Sequence, residues 1–264
     1  MLLALSTWPE IETWLRHCKT VVIPIGSNEQ HGPTGLLGTD WMCPEIIAHE
    51  AHRRGGDILV APTFNIGMAQ HHLGFPGTIS LRPSTFQAAI CDWVESLSRH
   101  GFERIYFFNG HGGNIASIEA AFSEAYAKFS FAAKACPYML KLTSWWQLPG
   151  IGPLADELFP AGHGSHATPS EIAITQSAYP ASIKHAACTP TVAPIGPIRD
   201  ALEFRSRFPD GRMGSNPLLA TPEKGARLIA GAAAALLQEF ERFTQEPFLV
   251  KSGPALSETG TRGS

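Results

Sequence analysis

Thr20-Val21-Val22-Ile23-Pro24-Ile25 is an apolar run of strand length, and Gly26-Ser27 ends it. A run that is apolar at every position is typical of a strand buried on both faces of a parallel sheet. Similar runs follow at 57–62, at 104–108 and at about 133–142. Segments with helical periodicity lie between these runs, at 39–53, 83–100 and 115–129. The alternation predicts an α/β fold with a mostly parallel sheet and helices on both faces.

Both ends of the chain add helices to this frame. Thr7 is predicted to cap a short helix that ends near Leu15, and Thr221 a long Ala/Leu-rich helix that reaches Phe243. The segment 143–216 is rich in Pro, Gly and His. We predict that it crosses the edge of the sheet at which the strands end, with one helix near 170–178. Residues 1–250 are predicted to form one domain and 251–264 a disordered tail.

Composition restricts the class of function. The chain has 264 residues, of which 44% are hydrophobic and 16% charged, and its formal net charge is -3. It has no basic run and no run of roughly 20 apolar residues, which argues against nucleic acid and membranes as partners. The five cysteines are scattered and the N-terminal segment turns acidic early, so we expect a cytoplasmic protein. The small charged fraction favours a homo-oligomer, because an interface would cover part of the surface.

The loop after the first strand carries the strongest functional signal. Glu29 and His31 are two residues apart within Gly26-Ser27-Asn28-Glu29-Gln30-His31-Gly32-Pro33, and Asp40 begins the next helix. Two carboxylates and an imidazole suit a borderline divalent ion such as Zn or Mn. In the alternative interpretation Glu29 is a surface charge, His31 a loop histidine and Asp40 a helix cap. This segment alone leaves both interpretations open.

Two further candidate segments directly follow predicted strands. Asn109-Gly110-His111-Gly112-Gly113-Asn114 contains glycines that allow a tight turn and present His111, although an ordinary strand-to-helix turn would look the same. His71 and His72 follow the second predicted strand. Adjacent side chains of an extended segment face opposite ways, so at most one of these histidines is expected in the site. The loops that follow parallel strands meet at one edge of the sheet, so these segments should come together.

A last candidate segment lies in the irregular region. His163 and His166 precede a short predicted helix whose first turn holds Glu171. The helix dipole alone could account for a carboxylate at that position. The segment is therefore a candidate for the site only in combination with the other three.

Together these segments resemble the creatininase, or creatinine amidohydrolase, family. The resemblance lies in Glu29 to Pro33 with Asp40, Phe75-Pro76-Gly77-Thr78-Ile79-Ser80, Asn109 to Asn114, and His166 with Glu171. It implies a three-layer α/β/α sandwich, an oligomer that is a hexamer or is built from dimers, and a site for two divalent ions. Glu29 and His111 would hold one ion, His31 the other, and Asp40 would bridge them.

The chain also departs from the creatininase pattern. Gly113 stands where creatininases supply a further glutamate ligand, and Glu171 is the natural substitute, with a site for a single ion as the alternative. Ser165 stands where they have a glutamate. Ala161-Gly162 stands where they have a tryptophan, which disfavours creatinine as the substrate.

The resemblance implies a metal-dependent hydrolase of a non-peptide C–N bond in a small molecule, namely an amide, cyclic amide or formamide, through metal-activated water. Zinc is the expected metal, with manganese or iron as alternatives. His166 is the candidate for proton transfer, and the predicted substrate-binding residues are His72, Asn114 and Trp145. Two alternatives stay open: a non-hydrolytic α/β enzyme of sugars or nucleotides, and a metal-bearing but inactive assembly protein.

Overall fold

Three parallel strands form the central sheet in a computed structural model that describes residues 1–248. The strands are β1 (Thr20–Ile25), β2 (Arg104–Asn109) and β3 (Met139–Ser144), in the order β1-β2-β3. Ile25 pairs with Asn109, and Asn109 with Ser144, so the three strands end level with one another. The loops that leave these ends therefore begin at the same edge of the sheet.

Helices cover both faces of this sheet. Tyr106 of β2 packs against Phe243 with ring centroids 6.0 Å apart, while its neighbour Phe107 packs against Phe122 on the other face at 5.4 Å. This alternation follows from the two-residue period of a strand. The predicted three-layer α/β/α sandwich is confirmed. The helices are α1 (Trp8–Leu15), α2 (Thr39–Arg53), α3 (Pro83–Arg99), α4 (Ile115–Phe131), α5 (Ile151–Leu158), α6 (Pro169–Ala178), α7 (Ala201–Arg207) and α8 (Pro222–Gln245).

Two of the predicted strands differ in the structure. The segment 57–62 runs beside β1 but forms only isolated bridges, from Val60 to Leu2 and to Val22. Val60 lies opposite Val22 and Phe64 opposite Ile25, so the register shifts by one residue between them and no regular ladder forms. The fourth predicted strand begins at Met139 rather than near Ala133, because α4 continues to Phe131.

The predicted excursion over the sheet edge contains more helix than expected. Besides α6, which was predicted, it holds α5 and α7. Both are short, and α5 contains Gly152 and Pro153, which weaken a helical signal in the sequence. Asp200 caps α7 by accepting hydrogen bonds from the backbone N–H groups of Leu202 and Glu203, at 2.9 and 3.0 Å.

The other predictions about the whole chain fare differently. All five cysteines are free thiols. Within residues 1–248 no helix has both the length and the apolar character that crossing a bilayer requires. The predicted tail at 251–264 lies outside the described residues.

Candidate metal centre

The carboxyl edge of the sheet gathers the four central candidate residues. Glu29 and His31 lie on the loop after β1, Asp40 in the first turn of α2, and His111 directly after β2. All four side chains are buried. Their loops meet because β1 and β2 end side by side, at Ile25 and Asn109. Residues that are far apart in sequence thus form one polar cluster under the edge of the sheet.

Asp40 occupies the middle of this cluster. Its Oδ1 lies 2.9 Å from His31 Nε2, and its Oδ2 lies 2.8 Å from His111 Nδ1. The far nitrogen of His111, Nε2, lies 3.4 Å from Glu29 Oε2. Each oxygen of one carboxylate thus faces a different imidazole, and the bridging of two ions by Asp40 stays a prediction.

Glu29 has two buried carboxylate oxygens without a hydrogen bond of regular geometry. His72 Nε2 and His111 Nε2 approach them to 3.1 and 3.4 Å, which is within the distance of a hydrogen bond but outside its angles. A buried carboxylate left without donors is costly. The possible metal-ligand atoms nearby form two groups that fit a divalent ion. One is Glu29 with His31 and Asp40, and the other is Glu29 with His72 and His166. The described residues therefore offer ligands for a divalent ion, whereas His111 is in neither group and the predicted division of the ligands between two ions stays a prediction.

The electrostatics of the cluster also favour a cation. Burial raises the pKa of Glu29 to about 8, against the opposing effect of His111. Burial would lower the pKa of His31, but the Asp40 carboxylate more than offsets it and the pKa rises to about 10. The pKa of His111 rises to about 9 for the same reason, with Glu29 and Asp40 as the partners. Without an ion, protons would have to balance the buried carboxylates, and a divalent cation can replace them.

Glu171 lies close to this cluster but has a second role. Its Oε1 accepts a hydrogen bond from the backbone N–H of Thr168 at 2.5 Å, and its own N–H donates to Thr168 Oγ1 at 3.4 Å. This is a capping box at the start of α6. Glu171 is absent from both ligand groups, although it lines the same cavity as Asp40. Glu171 thus caps the start of α6 in the structure, and its role as a metal ligand stays a prediction.

His166 joins the cluster from the loop before α6. Its ring centroid lies 4.7 Å from that of His31 and 4.4 Å from that of His72. Its Nδ1 lies 3.7 Å from Glu29 Oε1. The backbone is held by Ser215, whose hydroxyl donates to the His166 carbonyl at 2.7 Å. His166 therefore belongs to the cluster, and its role in proton transfer stays a prediction.

The three residues predicted to bind substrate occupy different positions. His72 lines the cavity but faces Glu29. Trp145 also lines the cavity, with Trp146 packed edge-on against it at 5.8 Å. Asn114 is fully buried, is not part of the cavity wall, and uses its amide on backbone groups, donating to Gly26 O and accepting from Met68 N–H, both at 3.0 Å. We therefore correct the assignment of Asn114 from substrate binding to holding loops together.

Two residues of the site were not singled out from the sequence. Gln30 contacts both His72 and His166 through its side chain. Arg212 is fully buried, and its guanidinium donates to Asp210 and to the carbonyls of Pro190, Thr191 and Ser215. Arg212 thus contacts Pro190 and Thr191, which are more than 20 residues away in the sequence. Nothing in the local sequence indicates these contacts. Gln30 carries a weak signal, because it stands between two candidate ligands.

A cavity of about 450 Å³ opens above the cluster. Its lining includes the polar side chains of Asp40, His111 and Glu171 and the apolar side chains of Trp145, Trp146 and Ile198. The volume is in the range of sites for small molecules, which is about 300–1,000 Å³. The site therefore combines polar side chains that could hold a metal with aromatic side chains in one cavity.

The model of the family described as "Creatininase: Creatinine amidohydrolase" matches residues 4–240. The chain belongs to this family. It is 37% identical over 106 residues to the mycofactocin precursor peptide peptidase of Mycolicibacterium smegmatis, a match that covers 38% of this chain and 42% of that protein. It is 28% identical over 162 residues to the creatinine amidohydrolase of Pseudomonas putida, covering 59% and 62%. A third relative, the 3-dehydro-scyllo-inosose hydrolase of Thermotoga maritima, is 28% identical over 106 residues, covering 40% and 34%. The chain thus spans less than two thirds of the length of these curated relatives.

Solved creatininase structures share the fold. The structure named "Creatininase Mn" superposes with a TM-score of 0.79 at 22% identity and covers 93% of this chain and 99% of that chain. A creatininase mutant of the "Zn-Zn type" superposes with a TM-score of 0.78 at 22% identity, covering 93% and 98%. At this identity the likeness supports the fold alone. The predicted fold class and the predicted family are both confirmed.

Proposed function

We propose that this chain is a metal-dependent amidohydrolase that cleaves a C–N bond of a small molecule, such as an amide, a cyclic amide or a formamide. One observation carries the proposal: Asp40 lies between His31 and His111, beside the unbonded oxygens of Glu29, at the floor of a cavity open to small molecules. Membership of the creatininase family supports the same reaction class.

The first group of residues would bind the metal ions. Glu29 and His111 would hold one ion, His31 another, and Asp40 both, with Glu171 as a further ligand. A divalent ion at this position supplies a Lewis acid and lowers the pKa of a water molecule. Zinc is the preferred ion and manganese or iron the alternatives, because carboxylate and imidazole ligands suit all three.

His166 would deliver a proton to the leaving nitrogen. It lines the cavity and lies against His31 and His72, next to the carboxylate of Glu29. An imidazole can both accept and donate a proton, as this step requires. Trp145, which also lines the cavity, would contact the substrate through a flat surface. Creatinine remains disfavoured, because Ala161-Gly162 stand where creatininases have an aromatic residue.

A peptide-like amide is the second candidate substrate. The 37% identity to a precursor peptide peptidase favours it, although the match covers 38% of this chain. The non-hydrolytic sugar or nucleotide enzyme considered from the sequence loses support, because the relatives reported above are named as hydrolases or a peptidase. An inactive metal-bearing assembly protein differs from the proposal only in activity, which an assay decides.

Purified protein should contain about one to two Zn, Mn or Fe ions per chain, because four clustered ligands and Glu171 are available. Elemental analysis after purification without chelator measures this number. The same preparation should hydrolyse at least one member of a panel of formamides, cyclic amides, linear amides and short peptides. Protein that neither contains nor takes up a transition metal would overturn the metal proposal. Full metal with no hydrolysis across the panel would favour the assembly protein.

A homo-oligomer is expected in solution, and a cytoplasmic location belongs to the same proposal. Several large apolar side chains are strongly exposed in the single chain, among them Trp8 at 74%, Phe131 at 94%, Ile195 at 79% and Leu202 at 82%. Apolar side chains in such positions are often covered by a partner. Light scattering at micromolar concentration should give a mass that is a multiple of 28.5 kDa. A single peak at the monomer mass would contradict this expectation.

A further inference from the structure

The side chain of Gln30 lies buried between two histidines of the site. Its amide nitrogen is 2.8 Å from His72 Nδ1, 2.9 Å from His166 Nε2 and 2.9 Å from the carbonyl oxygen of Gly211. Its amide oxygen accepts a hydrogen bond from the backbone N–H of Gly32 at 2.9 Å. An amide nitrogen has two hydrogens, so only two of its three neighbours can accept from it.

The backbone partners fix which way the amide points. The Gly32 N–H can only donate, so it must face the oxygen of the amide. The Gly211 carbonyl can only accept, so it must face the nitrogen. A rotation of the amide by 180° would break both hydrogen bonds.

The remaining contacts then assign the protons of the two histidines. His166 Nε2 also lies 2.8 Å from the main-chain oxygen of Gln30, which can only accept, so Nε2 carries a proton. A protonated Nε2 cannot accept from the amide of Gln30. The two amide hydrogens therefore go to Gly211 and to His72 Nδ1, which must be without a proton.

We propose that Gln30 is a positioning residue that sets the tautomers of His72 and His166. His72 carries its proton on Nε2, which faces Glu29 Oε1 at 3.1 Å, so this nitrogen offers no lone pair to a metal. His166 carries its proton on Nε2 and keeps the lone pair of Nδ1, which lies 3.7 Å from the same oxygen. Outer hydrogen bonds of this kind orient the ligands of a metal site. The consequence for metal binding depends on the proposed function, whereas the tautomers do not.

The backbone of Gly211 lies directly against the Gln30 amide. Gly211 has a φ of +84°, which favours glycine. A Cβ atom at Gly211 would lie 1.8 Å from Gln30 Oε1, so any side chain there would collide with the amide. Glycine at this position is what allows the buried amide to reach both the Gly211 carbonyl and His72.

Nitrogen NMR of the full chain labelled at histidine tests the proposal, with and without Zn²⁺. In the native protein, His72 should show a bare Nδ1 and a protonated Nε2, and His166 a bare Nδ1 in the metal-free form. His72→Asn assigns the signals of that ring. In Gln30→Glu, the carboxylate can only accept, so the His72 Nδ1 signal should change to the protonated type. Gln238→Glu, an exposed change of the same chemistry on α8, should leave both histidines unchanged.

A second readout follows the metal. Gln30→Glu should weaken the binding of Zn²⁺, measured by competition with a chelator, by about 10- to 100-fold, while Gln238→Glu should not change it. A native protein with its His72 proton on Nδ1, or a Gln30→Glu variant with unchanged His72 signals, would overturn the proposal. The spectrum of the native protein tests the tautomers of His72 and His166 even if Gln30→Glu fails to fold. Native protein that binds no Zn²⁺ would count against the proposed function, and the metal-free spectra would still decide the tautomers.

Discussion

Replacing Asp40 with alanine is expected to remove most of the bound metal and to abolish hydrolysis. Asp40 lies between His31 and His111, with one oxygen toward each ring. The loss of this carboxylate would remove a ligand from both ions, whereas the loss of His31 or His111 would affect one. Two remaining ligands per ion would be fewer than the three that catalytic sites usually provide. Elemental analysis and an assay on the best substrate of the amide panel measure the two effects.

Controls must separate a lost ligand from a lost fold. The two histidines beside Asp40 are buried. Removing one partner of a buried ion pair lowers the stability of the fold by about 3–5 kcal/mol. Asp40→Asn keeps the size of the side chain and should also lose metal, because an amide is a weaker ligand than a carboxylate. Asp92→Ala, an exposed aspartate on α3, should keep full metal content and activity. Full metal content in both Asp40 variants, with circular dichroism like that of the native protein, would disprove the bridging role.

The sequence predicts the fold best where a segment is buried along its whole length. All six positions of β1 are buried, and the glycine after it matches the observed end of the strand. The segment 58–62 is also apolar, but it lies beside β1 with a register that shifts by one residue before Phe64, so it forms only isolated bridges. The apolar character of a segment predicts that it is buried, but it does not predict which backbone groups it pairs with. That is why the layers could be predicted and the exact number of strands could not.

The same distinction applies to the site. Glu29, His31, Asp40 and His111 could be predicted as a group because each stands directly after a strand or at the first turn of a helix. The position of a loop then implies the position of its side chains. The contact between Gln30 and the carbonyl of Gly211 joins residues 181 positions apart. Such a contact depends on the path of the long segment after β3, which no local pattern describes.

Glu171→Gln is expected to lose about half of the bound metal and most of the activity while the fold survives. Gly113 has no side chain to offer a ligand, so the ion held by His31 and Asp40 requires a third protein ligand. Glu171 lines the cavity beside Asp40, and its buried carboxyl has a pKa raised by that burial to about 6. Only Oε1 is used in the bond to Thr168 N–H. A small shift of a side chain on binding an ion could bring the other oxygen into the site.

Glutamine is a suitable replacement because it also serves in a capping box, so the start of α6 should be preserved. A change in metal content would then follow from the lost charge and not from a damaged helix. Thr168→Ala is the matched control, because it removes the other half of the capping box. It should cost about 0.5–2 kcal/mol of stability and lower the melting temperature, with metal content unchanged. If Glu171→Gln instead keeps full metal and full activity, the carboxylate serves α6 alone, and the site holds either one ion or a second ion with ligands from elsewhere.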